Sequence, residues 1–225
     1  MVVSIIKLSK SSWFKIKTDN EVVHIDPGYT GYFENQGVPE DELKEKSDLI
    51  LVTHFHKDHL QPEALAKISG STTIILAPQG CKDRIEGKFK LIKPYDQINL
   101  NDVKIKVVNA YNTPEGNSTR KFHHKGENVG YLVTINGKTI YHAGDTDFIH
   151  EMKKFGEIDV ALIPIGGTFT MDIEEAVDAV LAIKPKIVIP MHMRDADPEK
   201  FKKIIEEESD IKVIPLDTGG IYKLD

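Results

Sequence analysis

The chain has 225 residues, 40% of them hydrophobic, a formal charge of −6 and a single cysteine, Cys81. These figures exclude an internal disulfide and a Cys-rich zinc module, and without a basic run they argue against a broad nucleic-acid footprint. No window approaches the ~18 consecutive apolar residues of a membrane span, and Val2-Val3-Ser4-Ile5-Ile6 is too short for a signal peptide. The expectation is a cytoplasmic protein forming one domain over residues 1–225, with Cys81 a semi-buried small residue rather than a nucleophile.

Residues 2 to 25 read as three strands: around Val3-Ile5, over Trp13–Lys17 with period-two alternation, and over Val22–Ile25. Ser9–Ser12 and Asp19-Asn20 supply the turns. Asp26-Pro27-Gly28 stops the third strand. Asp26 fits a turn-initiating Asp before proline at least as well as a metal ligand, and is placed behind the ligands. A Gly- and Tyr-containing loop over 29–38 precedes a short helix from Pro39 to Lys46, whose acidic start suits the helix dipole. The apolar run Leu49–Val52 is a buried strand ending at Thr53.

Directly after it stands Thr53-His54-Phe55-His56-Lys57-Asp58-His59. In an extended segment His54 and His56 point to the same side, and a turn can bring Asp58 and His59 back to them. Four ligand-capable side chains within six residues form a donor set that zinc, manganese and iron(II) accept. Beyond it, Pro62–Ile68 reads as a helix, Thr73–Leu76 as a strand and 79–87 as another short helix. Residues 88–108 hold two or three strands, the last with one buried and one wet face.

The polar stretch from Asn109 to Asn128, with His123-His124, leads into a hairpin of Val129–Ile135 and Lys138–Tyr141 around Asn136-Gly137. His142-Ala143-Gly144-Asp145-Thr146-Asp147 then repeats the pattern of an apolar strand followed by a ligand-capable turn. Ile158–Pro164 is a strand, Ile173–Ile183 a helix capped by Asp172 with Glu175, and Lys186–Pro190 a strand that delivers Met191-His192-Met193. A helix over Pro198–Glu208 and strands near Val213 and Ile221 complete the chain. Strands first and strand-helix units later, in both halves, predict two mixed β-sheets with helices outside, a four-layer αβ/βα sandwich.

These motifs are similar to those of metallo-β-lactamase-fold metal-dependent hydrolases: His54, His56, Asp58 and His59 as H-x-H-x-D-H, Asp145 as the later aspartate, His192 as the last histidine. The run Tyr141–Asp147 and the Gly-Gly-x-x-Thr-Met of Gly166–Met171 resemble the branch that includes L-ascorbate-6-phosphate lactonase. The resemblance implies that His54, His56 and a third histidine hold one divalent ion, that Asp58, His59 and His192 hold a second, and that Asp145 bridges them. The family's middle histidine is missing at Asn109-Ala110-Tyr111-Asn112. His123 is favoured in its place, because Phe122-His123 aligns with a Phe-His of that branch; His124 fits a loop or substrate-contacting residue as well as a ligand.

Two ions so placed activate a hydroxide at neutral pH, with Asp58 and His59 as the groups nearest the chemistry, and need no serine or cysteine nucleophile. Two carboxylates and one hydroxide against four metal charges leave about +1, an anion attractor. The implied function is hydrolysis of a small, anionic ester, lactone or phosphodiester, with zinc the default metal and manganese or iron(II) alternatives. Tyr111, Asn112, His124 and Lys125 are candidate substrate contacts and His142 a neighbour of the metal loop, while His24 and His150 are expected on a strand and a helix surface. A nuclease or phosphodiesterase of the same fold, or a non-catalytic metal-binding scaffold, are the competing readings. The sequence indicates neither the oligomeric state nor the substrate.

Overall fold

Alternating and continuous apolar runs become fourteen strands in the computed structural model, which describes residues 2–225. In chain order these are β1 (Val3–Lys7), β2 (Phe14–Lys17), β3 (Val22–Ile25), helix α1 (Asp41–Lys44), β4 (Leu49–Leu51), α2 (Pro62–Ile68), β5 (Ile74–Ala77) and β6 (Lys90–Leu91). There follow β7 (Gln97–Leu100), β8 (Val103–Ala110), β9 (Asn128–Ile135), β10 (Lys138–His142), β11 (Val160–Pro164), α3 (Ile173–Ile183), β12 (Ile187–Met191), α4 (Pro198–Glu208), β13 (Lys212–Val213) and β14 (Ile221–Leu224).

The helix ends follow local chemistry. Proline opens α2 and α4, where its missing N–H costs nothing. Asp172 caps α3 by accepting from Glu175 N, as its spacing predicts. Both central residues of the β9–β10 turn, Asn136 (φ 50°) and Gly137 (φ 75°), are left-handed, which a two-residue type I′ hairpin requires. Two expectations shrink. The helix sought over Pro39–Lys46 is the single turn α1, and residues 79–87 form a 3-10 helix only over Gln79–Arg84.

The chain divides into two compact units. The first, residues 1–92 with 216–225, is built on a sheet of order β14-β1-β2-β3-β4-β5-β6. From β14 to β3 its pairs are antiparallel; from β3 to β6 they are parallel. Trp13, Ile50 and Val52 pack with Leu43 of α1, Leu65 and Ile68 of α2 and Cys81 in one buried cluster. Cys81 is fully buried rather than partly so, and burial pushes its thiol up to about 12.

The second unit, residues 93–215, has the sheet order β13-β12-β11-β10-β9-β8-β7. Here β7 to β10 form an antiparallel meander, and β10 to β13 run parallel. Each unit is thus a mixed αβ half of the kind predicted. In each, the parallel strands end at a common edge, where side chains on the following loops gather. Among the described residues no helix is long and apolar enough to cross a membrane.

Candidate metal centre

In the first unit, β3 and β4 end side by side, and their loops meet. Asp26 follows β3 in the left-handed conformation (φ 52°), which a non-glycine residue adopts only when its surroundings enforce it. Its Oδ1 accepts from Thr53 N and its Oδ2 from the Thr53 hydroxyl, both at 2.7 Å, and Oδ2 also meets His59 Nδ1 at 2.7 Å. Asp26 is thus a buried carboxylate that ties Thr53 and His59 together.

These contacts assign the ring protons. The Thr53 hydroxyl gives its one hydrogen to Asp26, so it accepts from His54 Nδ1 at 3.0 Å and leaves His54 Nε2 as a lone pair. His59, donating Nδ1–H to Asp26, likewise presents Nε2 as an acceptor. The chain turns back through His59 N and Leu60 N, both donating to His56 O, which returns Asp58 and His59 to the two earlier histidines as expected. Two donor pairs result: His54 Nε2 with His56 Nδ1 at 3.1 Å, and His59 Nε2 with Asp58 Oδ2 at 3.8 Å. His54 and His59 are buried, and His56 and Asp58 half-buried. Gly28 makes this packing possible, because a Cβ there would press on the backbone of Asp58 and His59.

In the second unit, the loops after β8, β10 and β12 do the same. Asp145 and His192 follow β10 and β12, and His192 is left-handed (φ 47°). Asp145 Oδ2 stands 3.5 Å from His123 Nε2 and 3.5 Å from His192 Nε2, and all three side chains are buried. His123 reaches this point because Asn112 clamps it. Asn112 N donates to His123 O, and Asn112 Oδ1 faces both His123 N (3.0 Å) and Nδ1 (3.1 Å). His123 Nδ1 also lies 3.2 Å from Phe169 O, so its proton sits on Nδ1 and its lone pair on Nε2.

The remaining candidates divide. His124 is exposed and its carbonyl closes a turn with Glu127 N, so the loop presents the two neighbours in opposite ways. Asn112 spends its amide on Ser118, Asp147 and Phe169 O, which makes it a clamp rather than a free contact. The Tyr111 hydroxyl lies among Glu151 and Lys125. His142 is buried at the end of β10, its Nδ1 accepting from Gly144 N. His150 is exposed at the start of a 3-10 turn, as expected. His24 departs from expectation: it is fully buried, accepts from Trp13 Nε1 at 2.9 Å, and is held down to about 3, first by burial and then by the Lys15 charge.

Sequence reasoning passed over Asp147. This buried carboxylate accepts from Asn112 Nδ2, Thr113 N and Lys121 Nζ, and so ties down the loop that carries His123. Its signal is the second aspartate of Asp145-Thr146-Asp147, two residues from a ligand candidate. Glu175 holds the far side of the same loop by accepting from Asn117 N and Phe148 N, with burial raising its carboxyl.

Imidazole lone pairs and carboxylates are the donors that a borderline divalent ion takes, and the rings of His54, His59 and His123 are each held by a hydrogen-bond partner behind them. The beta-lactamase superfamily domain matches residues 4–192. A UPF0173 metal-dependent hydrolase of Pyrococcus abyssi is 40% identical over 211 residues, covering 89% of this chain and 91% of that protein. This chain belongs to that family of metal-dependent hydrolases. Among solved structures, a putative metal-dependent hydrolase from Parabacteroides distasonis is 31% identical with a TM-score of 0.82, covering 95% of this chain and 92% of its own. Igni18, a metallo hydrolase from Ignicoccus hospitalis, is 26% identical, also with a TM-score of 0.82, covering 100% of this chain and 99% of its own. The αβ/βα metallo-β-lactamase class expected from the strand and helix order is the one these hydrolases share, and the His and Asp groups described suit divalent metal ions.

Proposed function

We propose that the ligand candidates serve a dinuclear metal centre, and that the chain hydrolyses a small, anionic ester, lactone or phosphodiester. The observation that carries this reading is at Asp145. Its Oδ2 has two imidazole Nε2 atoms at 3.5 Å, longer than the ~2.9–3.0 Å of an N–H···O bond. For His123 the ring proton is already engaged at Nδ1, so its Nε2 lone pair faces the carboxylate, an arrangement that suits a shared cation.

On this reading His54, His56 and His123 would hold one ion, Asp58, His59 and His192 the other, and Asp145 would be shared between them. Residues 1–225 then work as one hydrolase domain. When bound, a pair of divalent ions lowers the pKa of a water and polarises the bond under attack. The side chains do the rest. Asp26 and Asn112 hold His59 and His123 in one tautomer and one orientation. Asp58, half-buried beside His59, would orient the attacking water and hold its proton. Zinc is the default ion for this donor set, manganese and iron(II) being accepted by the same atoms. The single cysteine fits work in a reducing cytoplasm.

Elemental analysis tests the centre: two metal ions per chain are expected, falling to one or fewer in Asp145→Ala, and unchanged stoichiometry would remove the bridge. Turnover of chromogenic esters, lactones and phosphodiesters by metal-replete protein tests the reaction. Activity surviving in His56→Ala would contradict it.

A further inference from the structure

A cationic and aromatic patch lies beside His123 and His192 in the second unit. Phe169, whose carbonyl meets His123 Nδ1, carries two guanidinium groups over its ring, Arg120 at 5.8 Å and Arg194 at 5.4 Å. Phe122 stacks on the same ring at 5.6 Å, with 24° between the planes, and leaves 55% of its own surface exposed. The patch is fastened from two directions. Thr119 N and Arg120 N donate to Gly167 O and Thr168 O, and Arg194 stands two residues after His192, in a left-handed conformation (φ 51°), with its stem over Gly166.

Two features point to a ligand. Among the described residues neither arginine forms an ion pair, although the chain carries an excess of acid. Both guanidinium groups are anchored on the one ring, 5.8 and 5.4 Å from its centre, so an anion docking there meets two positive charges. A guanidinium presents a planar fork matched to two oxygens of a carboxylate or phosphate, and a side chain already anchored over a ring loses less freedom on binding. Phe122 adds an exposed apolar face next to those forks.

The geometry points to Arg120 and Arg194 as the subsite that grips the anionic group of the substrate, a carboxylate or phosphate, while Phe122 receives a flat or aromatic part of the same molecule. This rests on the hydrolase reading above and narrows its substrate class. Both arginines act at a distance from the reacting bond, so they set KM and the choice of substrate rather than the chemical step.

Titration calorimetry of the full-length, metal-loaded protein with phenyl phosphate and with benzoate tests it. Arg120→Gln and Arg194→Gln are each expected to weaken binding about tenfold, the scale of one charge-assisted hydrogen bond, with metal content and melting temperature unchanged. Phe122→Ala is expected to weaken phenyl phosphate more than inorganic phosphate. Equal binding by the wild type and both Gln variants, or no binding of either probe, overturns the subsite. Should a Gln variant fail to fold, the Lys variant, which keeps stem and charge but lacks the fork, is read in its place, and equal binding there overturns it. Arginine-dependent binding with no ester, lactone or phosphodiester turnover would instead leave the subsite standing and remove the hydrolysis.

Discussion

The ring of His59 donates its Nδ1 proton to Asp26 Oδ2 at 2.7 Å, with neither side chain exposed to solvent. A carboxylate behind an imidazole fixes which nitrogen is free and raises its basicity, which is how a fold prepares a ligand before any ion arrives. Asp26 also holds Thr53, and through its hydroxyl His54, so one buried carboxylate orients two rings.

Asp26→Asn keeps the shape but weakens this anchoring. Metal affinity, measured by competition with a chelator, is expected to fall about 10- to 100-fold. A variant that retains wild-type affinity would mean that the His59 ring is positioned by packing alone.

Asn112→Ala removes the clamp on His123 without touching any ligand atom. The side chain loses its bonds to His123, Ser118, Asp147 and Phe169 O. A loss of about 10- to 100-fold in turnover of the chromogenic substrates is expected, accompanied by weaker retention of one ion of the proposed pair. Full activity with full metal content would contradict the clamp.

Gly28→Ala should be costly for a residue that lies outside the ligand set. The new methyl would stand 2.6 Å from the Asp58 carbonyl carbon, against backbone that cannot rotate away. Overpacking of this kind costs about 1–3 kcal/mol, read by urea denaturation, and it should displace His59 enough to lower metal content as well. A neutral result would show that the 26–28 turn can move without the histidine loop.

His24 gives the protein a dependence on acid. In the fold it stays neutral down to about 3, whereas in the unfolded chain it takes up a proton near 6.5. Between those values the unfolded state binds more protons, so stability rises with pH across the window and is lost on acidification, by at most about 1.4 kcal/mol per pH unit. His24→Phe also leaves Trp13 Nε1 without its acceptor, an offset that does not vary with pH. Urea denaturation from pH 4 to 7 should therefore give a flatter profile in the variant; parallel profiles would contradict the burial of a neutral imidazole.

Much of this was determined by local sequence. The bounds of α2, α3 and α4 follow from prolines, Asp caps and amphipathic spacing within a few residues, and the Asn136-Gly137 hairpin from two residues that accept positive φ. His54, His56, Asp58 and His59 were legible because they crowd one strand end, where a single turn closes the set.

The tertiary structure alone decided what depends on partners distant in sequence. The chain's last strand, β14, returns to pair with β1, since a strand's pattern says which face is buried but not which neighbour it takes. His123 and His124 are the same residue type and adjacent in sequence; the family resemblance favours His123, but the clamp from Asn112 and the nearby Asp145 that set it apart exist only in the fold. Likewise His24 is buried by Trp13 across the sheet, and Arg120 and Arg194 meet on Phe169 from segments far apart in the chain. Propensity and periodicity act over a few residues, whereas burial, hydrogen-bond partners and charge proximity are set by contacts that folding itself creates.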